Sequence, residues 1–149
     1  VLEAKKIVSH PERIFVKDME NTGFPDKSFE IIVTRYALHY LKNVDNFYKE
    51  AFRILKDGGV LIVVTDHPLG SLLKKKKKVY GIREIIPTTM TIKTGKISFP
   101  THTFKDYFSE TFFSLFNLDY FDEGADNFHK IPNNSFKFPN FLGFKARKA

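Results

Sequence analysis

The sequence predicts an α/β fold with a mostly parallel sheet. Two apolar runs, Phe29 to Val33 and Val60 to Val64, are typical of strands buried on both faces. Between them, residues 43–55 carry apolar side chains at helical spacing, with acidic residues towards the start and basic residues at the end. Two buried strands joined by an amphipathic helix form a βαβ unit, which crosses over right-handed.

The residues before this unit predict a helix, a short strand and a turn. Val1 to Val8 contain good helix formers, and Pro11 discourages helix at the residue before it. No capping residue precedes this helix, so we expect it to begin outside the sequence given. Arg13 to Lys17 predict a strand that Asp18 closes, and Pro25-Asp26 predicts the turn that follows.

An insertion is predicted after the second buried strand. Gly58-Gly59 predicts the end of the preceding helix. Lys74 to Lys78 predict a mobile, exposed loop, because five ammonium groups cannot be buried without partners. Thr94-Gly95-Lys96 predicts a hairpin turn. We therefore expect one domain, residues 1–149, with an insertion at about 69–101.

The last third of the chain predicts one helix and two strands. Thr103 is a candidate N-cap for a helix that runs to residue 116. The segments "LDYFDEG" and "FLGFKARKA" predict the final strands, with the last one at the edge of the sheet.

Composition and charge exclude several classes of protein. The chain has 149 residues, of which 42% are hydrophobic and 28% charged, which argues against disorder. It has no cysteine, which excludes disulfides, thiolate metal ligands and a cysteine nucleophile. The histidines show no metal-ligand spacing, so we expect no metal. No apolar run approaches the ~20 residues of a bilayer span, and we expect a cytoplasmic protein without membrane contact.

The segment "FPDKSFEIIVTRYALHYLKNVDNFYKEAFRILKDGGVLIVV" contains, in order, a Pro-Asp-x-Ser-Phe turn, a strand, a polar cluster with His-Tyr, a helix, Leu-Lys-x-Gly-Gly and a strand. It resembles the second half of class I S-adenosylmethionine-dependent methyltransferases. "PTHTFKDYFSETFFSLFNLDYFDE" resembles a later helix and the sixth strand of that family. The resemblance implies a three-layer Rossmann-like sheet, mostly parallel, with an antiparallel C-terminal strand.

Two features of that family are absent from the sequence. These are the glycine-rich loop after the first strand and the acidic residue that ends the second strand. Backbone N–H groups of such a loop approach the cofactor closely because glycine has no side chain. The resemblance therefore implies a fold that is incomplete at the N-terminus, and we expect weak cofactor binding or none. Otherwise the strand at Arg13 to Lys17 must pair elsewhere, and unpaired strands would favour self-association.

The resemblance assigns five residues to a cofactor site for S-adenosylmethionine, with S-adenosylhomocysteine as the product. Asp18 and Met19 match the adenine site, where a carboxylate accepts from the adenine amino group. Thr34, Arg35 and Tyr36 follow a strand, and ligands of open α/β sheets bind beyond the carboxyl ends of strands. A structural role remains the alternative for each of them: a turn cap for Asp18 and ordinary loop polarity after the strand.

His39 and His102 are the candidate catalytic residues. His39 could serve as a general base if the methyl acceptor must lose a proton. His102 precedes the later helix and could point into the substrate cleft. A packed histidine that bonds a backbone carbonyl is the alternative for both.

The expected function is methyl transfer to an unidentified, small-molecule acceptor. A non-catalytic methyltransferase-like interaction module is one alternative, supported by the missing glycine loop. A basic RNA-binding module is another, and it rests on Lys74 to Lys78. Five of the net +7 charges come from that run, so the basic charge is local and nucleic acid is not the favoured partner.

Overall fold

Among the residues that the structure describes, four strands form one sheet and two form a separate antiparallel pair. The computed structural model describes residues 2–89, 96–124 and 139–149. No helix among these described residues is long and apolar enough to cross a membrane. The elements are α1 (Leu2–Ile7), β1 (Phe29–Arg35), α2 (Val44–Ile54), β2 (Leu55–Asp66), α3 (Pro68–Lys74), β3 (Ile85–Thr89), β4 (Lys96–Pro100), α4 (Phe104–Tyr107), α5 (Glu110–Leu115), β5 (Phe116–Gly124) and β6 (Phe141–Lys148).

The main sheet has the strand order β1-β2-β6-β5. β1 and β2 are parallel, as the βαβ prediction requires, and β6 runs antiparallel to both of its neighbours. The prediction that β6 is an edge strand is wrong, because β6 lies between β2 and β5. Leu142, Phe144 and Ala146 are buried on one face of β6.

Helix α2 packs on the sheet through a continuous apolar face. Asn43 caps its first turn by accepting from the Asp45 N–H, and Phe47, Ala51 and Ile54 are buried. The core includes these side chains together with residues of β2, α4, α5, β5 and β6. Helices α2, α4 and α5 therefore cover one face of the sheet.

The opposite face of β1 is open among the described residues. Ile31 and Val33 are 58% and 65% exposed there. The predicted α/β class is confirmed, but the described residues do not include a layer over these two side chains. A strand flanked by helices on both faces would bury both.

Gly58 and Gly59 shape a bulge rather than the end of α2, which corrects the prediction. The helix already ends at Ile54. Leu55 pairs with Phe29, and the next pairing joins Val60 to Ile31, so four residues of β2 loop out. Gly58 has φ +70°, and a Cβ on Gly59 would lie 2.8 Å from the Lys56 carbonyl oxygen. Both positions therefore favour glycine.

The strand predicted at Arg13 to Lys17 is not formed. A 3-10 turn at Pro11–Arg13 leads into an unpaired segment in which Phe15 and Val16 are exposed. No described strand lies beside this segment to accept its backbone hydrogen bonds. Phe15 instead packs edge-on against Phe24 at 5.8 Å between ring centroids.

The helix predicted at residues 103–116 is broken into α4 and α5. Thr103 caps α4 as predicted, in a reciprocal capping box with Asp106. Ser109 then starts α5 by accepting from the Phe112 N–H. The second cap stabilises a new helix start, which ends the first helix after Tyr107.

The inserted segment contains a helix and a hairpin. The sequence analysis does not predict α3, which begins at Pro68. β3 and β4 pair antiparallel, which agrees with a hairpin in this region. Thr94 and Gly95 of the predicted turn lie outside the described residues. The domain boundaries remain a prediction.

Candidate cofactor and acceptor site

The carboxyl ends of β1 and β2 meet at one edge of the sheet. Arg35 lies opposite Val64, and the Tyr36 N–H donates to the Val64 carbonyl oxygen at 2.7 Å. Tyr36 has φ +50°, a left-handed conformation that costs free energy in a non-glycine residue. The chain turns sharply there, which explains why the apolar strand stops at a polar cluster.

A cavity of about 330 Å³ opens beside the end of β1. Met19, Thr34 and Arg35 line it, so the fold brings together three of the five predicted cofactor residues. Thr34 is buried, and within the described residues its Oγ1 makes no hydrogen bond. An enclosed hydroxyl without a partner is unfavourable, and a polar ligand group in the cavity would satisfy it.

Glu50 connects the loop before β1 to the floor of this cavity. Its Oε1 accepts from the Thr22 N–H at 2.8 Å and from the Thr22 Oγ1 at 2.6 Å. Arg53 donates to both carboxylate oxygens, at 2.9 and 2.7 Å. These bonds, that from Arg53 above all, lower the pKa of Glu50 to about 2. Sequence reasoning missed Glu50; the available signal was a carboxylate on the apolar face of α2.

His39 is buried beneath the hairpin, at the end of β2. Its ring lies 4.2 Å from that of Tyr40 and 4.8 Å from that of Phe99, between centroids. Its Nδ1 is 3.4 Å from the Thr65 hydroxyl, which is 3.5 Å from the Tyr107 hydroxyl. Burial lowers the pKa of His39, and His102 and Lys74 lower it further, while Asp66 opposes them. His39 is therefore held neutral at pH 7.

Comparison with known proteins finds relatives of part of this chain. Residues 2–63 match the family model described as a methyltransferase domain. An uncharacterised methyltransferase of Bacillus subtilis, YcgJ, is 44% identical over 48 residues, which are 32% of this chain and 19% of that protein. A ubiquinone/menaquinone biosynthesis C-methyltransferase of Laribacter hongkongensis is 28% identical over 72 residues, covering 48% of this chain and 30% of that protein. The chain thus spans less than a third of either relative.

A solved structure from Listeria monocytogenes, described as a candidate S-adenosylmethionine-dependent methyltransferase, has the same fold. It superposes with a TM-score of 0.72 at 18% identity, over 89% of this chain and 67% of that chain. This chain has the class I, Rossmann-like methyltransferase fold. The resemblance inferred from the sequence is confirmed at the level of the fold.

Within the methyltransferase fold, Asp18 takes the position of a turn residue. It is exposed, and its Oδ1 accepts from the Glu20 N–H at 2.9 Å. It does not line the cavity that Met19 lines, and Tyr36 does not line it either. The structure therefore places both beside the cavity, and a cofactor role for them remains a prediction.

His102, which lies between β4 and α4 in the chain, is buried. Its ring lies 5.2 Å from that of Tyr107, and among the described residues neither ring nitrogen has a hydrogen-bond partner of good geometry. Burial lowers the pKa of His102, although Asp106 opposes this shift. The described residues contain no group of three or more His, Cys, Asp or Glu side chains that could hold a metal.

The lysine run is not a uniform exposed loop, which corrects the prediction. Lys75 is 3% exposed, and its ammonium donates to the carbonyl oxygens of Val79, Tyr80 and Ile82. Three carbonyl acceptors replace the water that the ammonium loses on burial. The neighbouring lysine side chains remain exposed.

Proposed function

We propose that this domain takes part in S-adenosylmethionine-dependent methyl transfer to a small, electron-rich acceptor. The observation that carries the proposal is the cavity at the end of β1, where the buried Thr34 hydroxyl has no partner in the described chain. S-adenosylmethionine, when bound, supplies an activated methyl group on a sulfonium. The residues described here would provide the adenine side of its cleft.

The roles of the residues follow from their positions. Met19 and Phe47 offer apolar contacts to a flat ring, and the Thr34 hydroxyl offers one hydrogen bond. His39 and Phe99 lie on the acceptor side, beyond the end of β2. Their burial would exclude water from the reacting atoms and help align the acceptor.

A titration with S-adenosylhomocysteine tests the cofactor site. We expect weak but saturable binding, with a dissociation constant on the order of 1 mM, about −4 kcal/mol, because the sequence lacks the glycine-rich loop. Amide resonances of Met19, Thr34 and Ala37 should shift in the ¹⁵N-labelled chain. Thr34→Val should weaken these shifts, whereas Thr111→Val, which removes a hydroxyl that bonds Asp45, should not. Absence of any saturable shift would contradict the proposal.

The open face of β1 favours the interaction-module alternative. Exposed Ile31 lies outside the candidate cavity, and exposed Val33, which lines that cavity, continues the same apolar surface. That alternative predicts no response to S-adenosylhomocysteine, so the same titration separates the two. The RNA-binding alternative loses support, because Lys75 is buried and its ammonium is already bonded.

A further inference from the structure

We propose that the hydroxyl groups of Thr65 and Tyr107 fix His39 in the Nε2–H tautomer. In this form, His39 donates a hydrogen bond to an oxygen of the methyl acceptor and does not act as a base. Thr65 and Tyr107 are then positioning residues. The inference rests on the proposed function for the identity of the ligand, but the tautomer is a property of the chain alone.

The first step concerns the proton of Tyr107. This phenol is 1% exposed, and burial raises its pKa well above the usual value, so it keeps its proton. Among the described residues, the oxygen in reach of the phenol is the Thr65 hydroxyl, at 3.5 Å. A buried O–H without an acceptor costs about 1–3 kcal/mol. Tyr107 therefore donates to Thr65.

The second step follows from the single proton of a threonine hydroxyl. Thr65 is fully buried, and its Oγ1 accepts from Tyr107, so its own proton is directed to His39 Nδ1 at 3.4 Å. A proton on Nδ1 would instead leave the proton of either Tyr107 or Thr65 without an acceptor. Since a neutral imidazole carries one proton, an accepting Nδ1 puts that proton on Nε2.

The third step defines the chemistry that Nε2 can recognise. An N–H group pairs with a lone pair, and it cannot remove a proton from the acceptor. Tyr40 and Phe99 flank the imidazole, and the Lys74 ammonium, which also pairs with Asp66 at 3.9 Å, lies 5.7 Å from the Phe99 ring centroid. Aromatic side chains, an N–H donor and a nearby ammonium favour binding of a phenolate, or of an enolate about as large as a phenolate.

Such an acceptor needs no catalytic base for the bond-forming step. The acceptor's electron pair forms the new bond to the methyl carbon, while the carbon–sulfur bond breaks and its electron pair stays on sulfur. A phenolate is already deprotonated, so O-methylation releases no proton. His39 would hold the acceptor oxygen and orient it for the in-line displacement.

The tautomer can be measured directly in the full 149-residue chain. Long-range ¹H–¹⁵N correlation of ¹⁵N-histidine-labelled protein separates protonated from accepting ring nitrogens. We expect His39 to show a protonated Nε2 and an accepting Nδ1. The reverse pattern, or rapid exchange between the two, would overturn the proposal. His67 is an internal reference, because its Nδ1 accepts from the Leu69 N–H at 3.1 Å.

Substitution of the positioning residues supplies the second measurement. Thr65→Val and Tyr107→Phe should each convert His39 to a mixture of tautomers, and Thr65→Ser should restore the single form. The His67 signals should stay unchanged in all three variants, which shows that the fold is kept. An unaltered His39 tautomer in Thr65→Val with an intact His67 pattern would overturn the positioning role.

Two nitro-substituted benzene rings, one with an oxyanion and one without, test the class of acceptor. We expect 4-nitrophenolate, but not nitrobenzene, to shift the His39 Nε2 proton downfield in a saturable titration. The same response to both probes, or to neither, would overturn the assignment of an oxyanion acceptor. None of these three experiments contains a cofactor. A failure to bind S-adenosylhomocysteine would therefore count against the proposed function and leave the tautomer result intact.

Discussion

Glu50 shows how one buried carboxylate joins two parts of the candidate site. It lies on the apolar face of α2, yet it receives four hydrogen bonds, from Thr22 and Arg53. Thr22 belongs to the loop that carries Met19, so the carboxylate holds one wall of the cavity against the helix. A charge of this kind is tolerated because its oxygens are bonded to donors.

We expect Glu50→Gln to lower the free energy of unfolding by about 1–3 kcal/mol at pH 6. The pKa of Glu50 is lowered from 4.5 to about 2, so its carboxylate stabilises the fold fully above pH 4.5 and progressively less as the pH falls towards 2. The difference between wild type and variant should therefore shrink across that range. Urea unfolding at several pH values measures it.

Glu110→Gln, on the exposed start of α5, is the matched control. It should change the free energy of unfolding by much less than Glu50→Gln at pH 6. A Glu50→Gln difference that stays constant from pH 6 to pH 2 would contradict the role of the ionised carboxylate.

At the scale of elements, the segment after α3 is organised by one lysine. The ammonium of Lys75 caps a tight loop by donating to three backbone carbonyl oxygens. The loop supports the start of the hairpin, whose Phe99 covers His39. Within the run Lys74 to Lys78, Lys75 is therefore a buried structural residue, whereas the side chains of its neighbours lie on the surface.

We expect Lys75→Met to lower the free energy of unfolding by about 1–3 kcal/mol, because carbonyl oxygens lose their donor inside the fold. Lys77→Met, which alters an exposed side chain of the same run, should change it by less than about 0.5 kcal/mol. Thermal or urea unfolding of the two variants measures the contrast. Equal effects would mean that Lys75 is as dispensable as its neighbours.

At the scale of the whole molecule, β1 leaves one edge of the sheet unpaired in the described chain. It pairs only with β2, and its exposed face carries Ile31 and Val33. An unpaired apolar edge is a template for another strand. A second copy of β1 fits it, because antiparallel self-pairing about Ile32 would set Ile31 opposite Val33 of the other copy.

We expect the chain to self-associate as its concentration rises, and Val33→Lys to suppress this association by placing a charge on the contact face. Sedimentation velocity over a range of concentrations measures it. Val79→Lys, which places the same charge on an exposed loop valine, should leave the association unchanged. A monomer at every concentration, or equal effects of both variants, would argue against the β1 edge.

The sequence by itself determined the βαβ unit, and it predicted a site at the carboxyl ends of β1 and β2. These depend on local periodicity and on the direction of parallel strands. The functional roles of all seven candidate site residues stay predictions. Asp18 and Tyr36 lie beside the cavity, whereas Met19, Thr34 and Arg35 line it.

Only the tertiary structure decided the place of β6, the burial of Lys75 and the contacts of His39. β6 pairs with strands far away in sequence, and an edge position has the same local pattern. Thr65 reaches His39 across 26 residues of chain and Tyr107 reaches Thr65 across 42, and no local pattern encodes such contacts. Sequence patterns report how much surface a segment must bury, while the hydrogen-bond partners depend on which segments meet.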